Sequence, residues 1–235
     1  MLTSREAQTG KTGGRGGIAP LAAMELDTIR EREARYRQIG LDAIRAGRVG
    51  AVLLAGGMGT RLGSDAPKGM FDIGLTKPVY IFERIIHNTL DVVKESGAWV
   101  PFFIMTSDKN HAATTSFFAE HAYFGYDPSY IFFFRQEMAP ASDYNGKVYM
   151  EEKGKISTSP NGNGGWFVSM ERSGVGRKMR ELGVEWLNVF AVDNVLQRIA
   201  DPCFVGAVIA ENRASGSKVV RKAAPDEKVG VMCLE

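Results

Sequence analysis

Two cysteines, Cys203 and Cys233, are all that a chain of 235 residues carries. They are too few for a disulfide framework and too isolated for a zinc site, so a reducing, cytoplasmic setting is the simpler expectation. Charge of one sign is lacking too. A formal net charge of +2 gives no global reason to expect a nucleic-acid or anionic-membrane partner. No apolar run approaches the ~20 residues of a membrane span. A P-loop is missing, since no glycine leads into Lys-Ser or Lys-Thr in the G-x-x-x-x-G-K-[ST] frame. The G-x-G-x-x-G dinucleotide fingerprint also fails: Gly57-Met58-Gly59 reaches its next glycine at Gly63, one residue late. No acid to hold a ribose is clearly placed about 20 residues further on. What is present is 44% hydrophobic and 24% charged residues, the balance of a soluble globular protein with one large or two small domains.

Against those absences stands Leu53-Leu54-Ala55-Gly56-Gly57-Met58-Gly59-Thr60-Arg61-Leu62-Gly63, followed by Pro67-Lys68-Gly69-Met70. An apolar run from Val49 to Leu54, with one glycine, empties into a loop holding Gly56, Gly57 and Gly59. Glycines let a backbone approach a ligand closely and turn its N–H groups toward an anion. Arg61, a planar fork, and Lys68, a point charge, together suit a polyphosphate. A plain strand-to-helix turn is the bland alternative. Thr60-Arg61 and Pro67-Lys68 favour a nucleotide-phosphate cradle at the carboxyl end of a first buried strand.

Lys11, Arg15 and five glycines between Gly10 and Gly17 mark residues 1–23 as a disordered, basic, glycine-rich tail, with Met24 a candidate start. Residues 24–48 form an N-terminal helical segment, a helix from Met24 to Ala46 broken at Gly40. Beyond it, elements of two periods alternate. Strands are expected at Val49–Leu54, Val100–Met105, Ile131–Phe134 and Glu185–Ala191. The third reads as a central parallel strand because its apolar run is continuous. Helices are expected at Val79–Ser96, Asn110–His121 and Phe204–Asn212. A small hairpin flanks Glu151–Lys155, and further strands fall at Lys218–Arg221 and Val229–Cys233. Such alternation over residues 49–235 predicts a doubly wound, mostly parallel α/β sheet. Its ligands should bind beyond the carboxyl ends of the strands. There the sequence puts Gly56-Gly57, Thr106-Ser107, Arg135-Gln136 and Asp193-Asn194, with the loop Ser159 to Gly165 between the last two. His87, His111 and His121 are assigned to helix surfaces.

The motif Leu54 to Gly63, with Pro67-Lys68-Gly69-Met70-Phe71-Asp72-Ile73-Gly74-Leu75, resembles the signature of UTP:sugar-1-phosphate uridylyltransferases. Within that family it is most similar to the UDP-N-acetylglucosamine pyrophosphorylase branch. The resemblance continues, in order, through Met105-Thr106-Ser107, Phe132 to Gln136 with Pro140-Ala141, and Pro160 to Gly165. It then runs through Val192-Asp193-Asn194 and Ala200-Asp201-Pro202 to Lys218-Val219-Val220 and Val229-Gly230-Val231. Several motifs in one order are far more specific than any one of them.

The resemblance implies a Rossmann-like nucleotidyltransferase domain over residues 49–235 and a set of roles. Leu54, Ala55, Gly56 and Gly57 would line uridine and ribose, and Arg61 and Lys68 would neutralise the departing phosphates. Gln136 would read the uracil edge, Gly162 would let the backbone lie against the base, and Asn163 would face base or sugar. Asp193 would hold Mg²⁺, a hard cation suited to carboxylate oxygen. Lys222 could approach a phosphate. The substrates implied are UTP and a sugar 1-phosphate. Each residue also has a bland reading: Asp193-Asn194 as a turn or helix N-cap, Gln136 as a cap, Lys68 as a solvated cation, Gly162–Gly165 as a flexible turn.

Two departures accompany the likeness. Asn161 stands where the N-acetylglucosamine branch usually has Asp. Family members are usually longer, and this chain stops at Val231-Met232-Cys233-Leu234-Glu235, so a C-terminally truncated form is expected. A glucose-1-phosphate uridylyltransferase, a UTP-binding module without turnover, and a dinucleotide-dependent oxidoreductase are the alternatives, the last disfavoured by the late third glycine.

Overall fold

The computed structural model describes residue 17 and residues 19–234, so the tail expected over residues 1–23 lies for its greater part outside the described residues. Val49–Leu54 (β1), Phe102–Thr106 (β2), Ile131–Arg135 (β3) and Trp186–Ala191 (β4) form one sheet in the order β3-β2-β1-β4, every pair parallel. Leu54 at the end of β1 pairs with Met105 on one side and Ala191 on the other. The chain therefore walks outward from β1 to β3, then crosses back to place β4 on the other flank of β1.

Alternate residues of each strand feed two separate cores, as the pleat requires. Val49, Ala51, Leu53, Phe102 and Ile104 pack against Leu26–Arg45 (α1), Ile81–Ser96 (α2), His111–Glu120 (α3) and Pro202–Ala210 (α6). Val52, Phe103, Met105 and Phe134 pack on the opposite face against Trp166–Arg172 (α4) and Val175–Glu181 (α5). Burial on both faces explains why the strands are mostly apolar rather than alternating, with Asn188 of β4 the interior exception, accepting the Ala200 amide at 2.8 Å. β3 is nevertheless an edge strand, not the central strand its composition implies. Helices cover both faces of the sheet there too, so an edge position needs the same apolar residues.

α2 shows how packing decides an element here. Its Ile, Val and Thr residues are poor helix formers, costing at most about 0.7 kcal/mol each. Ile81, Phe82, Ile85, Ile86 and Val92 are buried, and each such side chain contributes about 1.5–3 kcal/mol. Burial wins. The helix opens where the Tyr80 amide donates to the Glu83 carboxylate at 3.2 Å, and closes at Gly97 with φ +73°.

α1 runs unbroken through Gly40, against the expected break. A Cβ at Gly40 would lie 1.9 Å from the Pro202 carbonyl oxygen, and one at Gly206 would lie 1.7 Å from that of Tyr36. The two glycines thus let α1 and α6 touch backbone to backbone. Other expectations shift for equally physical reasons. The hairpin forms from Met150–Glu152 and Lys155–Ile156, and Met138–Pro140 pairs with Thr158–Pro160. Lys218–Arg221 is not a strand, and of Val229–Cys233 only the end, within Cys233–Leu234, pairs, antiparallel to Ala19–Pro20. Val220 and Val231 are exposed, without a sheet edge to extend. α4 and α5, not foreseen as helices, are too short for a clear apolar period. Among the described residues no helix is long and apolar enough to cross a membrane.

Replacing Gly206 by Ala should lower stability by about 1–3 kcal/mol or more, because backbone cannot yield to the new methyl. Urea unfolding of the purified variant measures this. An unchanged midpoint would mean that α1 and α6 do not meet at this contact.

Candidate functional site

β1 and β4 leave the sheet side by side and then part, since β1 leads toward β2 and β4 leads away. Such a divergence opens a crevice at the carboxyl ends of the strands. A cleft of about 350 Å³ lies there, lined on one side by Leu54, Gly56 to Leu62 and Lys68 and on the other by Ala191, Val192 and Asp193. Gln136, Pro160, Gly162 and Asn163 complete it. The site residues expected from the sequence line this cleft except Lys222 and Ala55, the latter buried beneath the loop. The Lys222 ammonium donates instead to the Pro225 carbonyl at 2.7 Å.

The glycine loop is held from below. Asn110, fully buried at the start of α3, donates through Nδ2 to the carbonyls of Ala55 at 2.9 Å and Gly57 at 3.2 Å. Its Oδ1 accepts the Ser107 amide at 2.8 Å, fastening the end of β2 as well. A trans peptide points its N–H opposite its carbonyl. Drawing these two carbonyls inward therefore turns the amides of Gly56 and Met58 away from Asn110. Neither amide, nor that of Gly57, donates to any acceptor among the described residues. Free backbone donors of this kind are what anion-binding concavities are built from.

Two further buried groups fix the other rims. Asn88 on α2 donates to the carbonyls of Val195 at 2.9 Å and Gln197 at 3.2 Å, steadying the chain just after Asp193. Ser169 on α4 accepts the Glu137 amide at 3.0 Å and donates to the Gly165 carbonyl at 2.9 Å. It joins the segment after β3 to the turn that carries Asn163. Asn88, Asn110 and Ser169 were not identified from the sequence. An Asn or Ser at a helix start or on an apolar face reads equally well as a cap, and only the fold shows which carbonyls it meets.

Gln136 is buried, and its side-chain amide makes no hydrogen bond to another described residue. A Cβ at Gly56 would come within 2.4 Å of its Nε2, so the glycine is what lets this amide sit in the cleft. Gly162, at φ +76° and ψ 172° with open space where a Cβ would stand, takes an extended conformation at the rim that glycine alone adopts readily. Lys68 sits in a short turn seated on the Phe82 ring, where any side chain at Gly69 would collide with the ring. Its ammonium pairs with the Asp193 carboxylate across the cleft. The two side chains are 24% and 61% exposed, so the pair contributes on the order of 0–1 kcal/mol, little for a ligand to overcome. Arg61, exposed, makes no ion pair among the described residues. Asp193 lies in a turn, its neighbour's amide donating to Ala191, and is not a helix cap; Asp201 caps α6 instead.

Two histidines depart from the expectation of helix surfaces. His121 is half-buried against Tyr80, Phe117 and Phe124. His111 contacts the Thr106 hydroxyl at 2.8 Å, and burial, aided by Arg135, holds its pKa below the ordinary imidazole value. His87 is exposed, as expected.

Gly56→Ala should displace the Gln136 amide and cost about 1–3 kcal/mol. Urea unfolding gives the cost, and the Gln136 side-chain NH₂ resonances give the displacement; resonances that stay in place would contradict the contact.

Comparison with known proteins places the chain in a family. A family profile described as UTP–glucose-1-phosphate uridylyltransferase matches residues 22–235. The UDP-N-acetylhexosamine pyrophosphorylase-like protein 1 of Mus musculus is 38% identical over 209 residues, covering 86% of this chain and 41% of that protein. The UDP-N-acetylglucosamine diphosphorylase 2 of Arabidopsis thaliana is 40% identical over 233 residues, covering 90% and 46%. The crystal structure of the uridine diphosphate N-acetylglucosamine pyrophosphorylase of Trypanosoma brucei, in complex with an inhibitor, superposes with a TM-score of 0.81. It shares 33% identity and covers 92% of this chain and 47% of that one. The chain thus spans under half the length of these relatives. With a matched region running from residue 22 to residue 235 and a fold that superposes on the Trypanosoma brucei structure, the chain belongs to the UTP–glucose-1-phosphate uridylyltransferase family.

Proposed function

We propose that this chain carries the nucleotide site of a uridylyltransferase that forms a UDP-sugar, UDP-N-acetylglucosamine, and pyrophosphate from UTP and the sugar 1-phosphate. The observation that carries the reading is one cleft that gathers a row of free backbone amides, an unpartnered buried amide side chain and a cation–carboxylate pair. Each suits a different part of UTP. Gln136, with a donor and an acceptor on one amide, matches the imide edge of uracil. Gly162 and Asn163 lie beside it, where base or sugar would rest. Leu54 and Gly56–Gly57 would lie along uridine and ribose, with Ala55 backing the loop. Gly59 to Arg61 and Lys68 would meet the phosphates.

The reaction is an in-line displacement. A phosphate oxygen of the sugar 1-phosphate attacks the α-phosphorus of UTP and forms the new P–O bond. The α–β bridging P–O bond breaks, and its electron pair leaves on pyrophosphate. Lys68 and Arg61 offset the charge that accumulates on that leaving group. No covalent intermediate on the protein is required, and the cleft holds no Ser–His or Cys–His pair.

Asp193 fits a Mg²⁺ that arrives with the nucleotide. It is one exposed carboxylate, and among the described residues no group of three His, Cys, Asp or Glu side chains forms a cage. Mg²⁺ is commonly held in this way, by one or two carboxylates plus substrate phosphates. When bound, it would supply further charge neutralisation on the phosphates.

The test is pyrophosphate release with UTP, Mg²⁺ and separate N-acetylglucosamine, N-acetylgalactosamine and glucose 1-phosphates. Release with the first sugar above the others supports the reading. Preference for glucose 1-phosphate would move the substrate to that branch, and UTP binding without release would leave a binding module. Lys68→Ala and Asp193→Ala should each lower kcat/KM by about a hundredfold. Their urea midpoints should move little, as a half-exposed pair predicts. Wild-type rates in either variant would refute its role.

A further inference from the structure

Asn110 stands outside the cleft lining, yet its side chain meets both carbonyls that set the direction of the glycine loop. We propose that Asn110 is a positioning residue for nucleotide binding, fixing the loop so that the Gly56 and Met58 amides face the ligand before it arrives. The inference rests on the nucleotide reading of the cleft.

The geometry supports a task beyond packing. A buried amide used only to satisfy itself needs any donor and any acceptor. Asn110 takes its two acceptors from alternate peptides of one loop, at Ala55 and Gly57, and its donor from the end of the neighbouring strand, at Ser107. Those contacts join the ends of β1 and β2 through one planar group with no freedom left. Gly57 and Gly56 could otherwise rotate their peptides at little steric cost, since glycine tolerates most backbone conformations. A rotated peptide would offer a carbonyl where an anion expects an N–H. Asn110 prevents this by holding the carbonyls on its own side. The Lys68 amide, 3.3 Å from the Gly57 carbonyl, reinforces one of the two. Nothing else among the described side chains holds the Ala55 carbonyl.

A nearby group provides the control. Thr114, one turn further along α3, has a buried hydroxyl oxygen with no hydrogen-bond partner among the described residues. Thr114→Val alters the same helix without touching the loop.

The experiment titrates UTP with Mg²⁺ into wild type, Asn110→Ala, Asn110→Ser, Thr114→Val and Gly206→Ala by calorimetry. Each Kd is corrected for the folded fraction measured by urea unfolding. Displacing a loop from its bound geometry should raise the Kd of both Asn110 variants on the order of tenfold to a hundredfold. Thr114→Val and the destabilised Gly206→Ala should stay within about twofold of wild type once corrected. Asn110 variants with wild-type Kd would overturn the proposal, as would equal weakening in Gly206→Ala. Absence of UTP binding by the wild type would remove the nucleotide reading and this inference with it. Should both Asn110 variants fail to fold, wild-type NMR decides. The Gly56 and Met58 amide signals should shift on adding UTP while the Asn110 NH₂ protons keep their protection from exchange. Loss of that protection on binding would overturn the fixed grip.

Discussion

The rest of the molecule depends on the burial of β1 between two parallel neighbours and two layers of helices. Val49, Ala51, Val52 and Leu53 are enclosed on every side, so no polar residue can be placed among them. Gly50 shows how tight the enclosure is: a Cβ there would stand 3.0–3.2 Å from Phe103, Val184 and Leu187. A strand so confined cannot shift register, because a one-residue slip would exchange its two cores. Its end is therefore fixed in space, and the glycine loop begins from a fixed point.

Polar side chains take over where the strands end. Asn110, Asn88 and Ser169 sit on three different helices, and each binds backbone groups of a loop that leaves the sheet. Buried groups of this kind are costly when unpaired and favour a single arrangement when satisfied. The helices thus do more than cover the sheet. Each carries one group that holds a rim of the cleft, so the rims are as well placed as the core beneath them. Side chains that line the cleft can be free of such duties, as Gln136 and Arg61 illustrate.

The legible part of this arrangement was what local chemistry dictates. The run Val49–Leu54 announces a doubly buried strand, and Gly56, Gly57 and Gly59 announce a backbone that must come close to something. Their position at strand ends, with Asp193 and Gln136, was readable from alternation alone. What sequence could not disclose depends on distant partners. Gly40 reads as a helix break until Pro202 is seen against it. Ile131–Phe134 reads as a central strand because an edge covered on both faces needs the same residues. Val219 and Val220 have strand propensity but no neighbouring edge, and propensity alone does not form a strand. Asn110 is silent in sequence because its partners, Ala55 and Gly57, lie far back along the chain.

The cleft's two rims come from opposite ends of the winding. β1 pairs with β4 from Val49 against Trp186, after the chain has laid down β2 and β3 on the other flank. Lys68 and Asp193 can meet only once that return has been made in full. Their contact is therefore a record of completed topology: a chain wound as far as β3 could possess the glycine loop and Gln136 side by side, yet face open solvent where the carboxylate belongs.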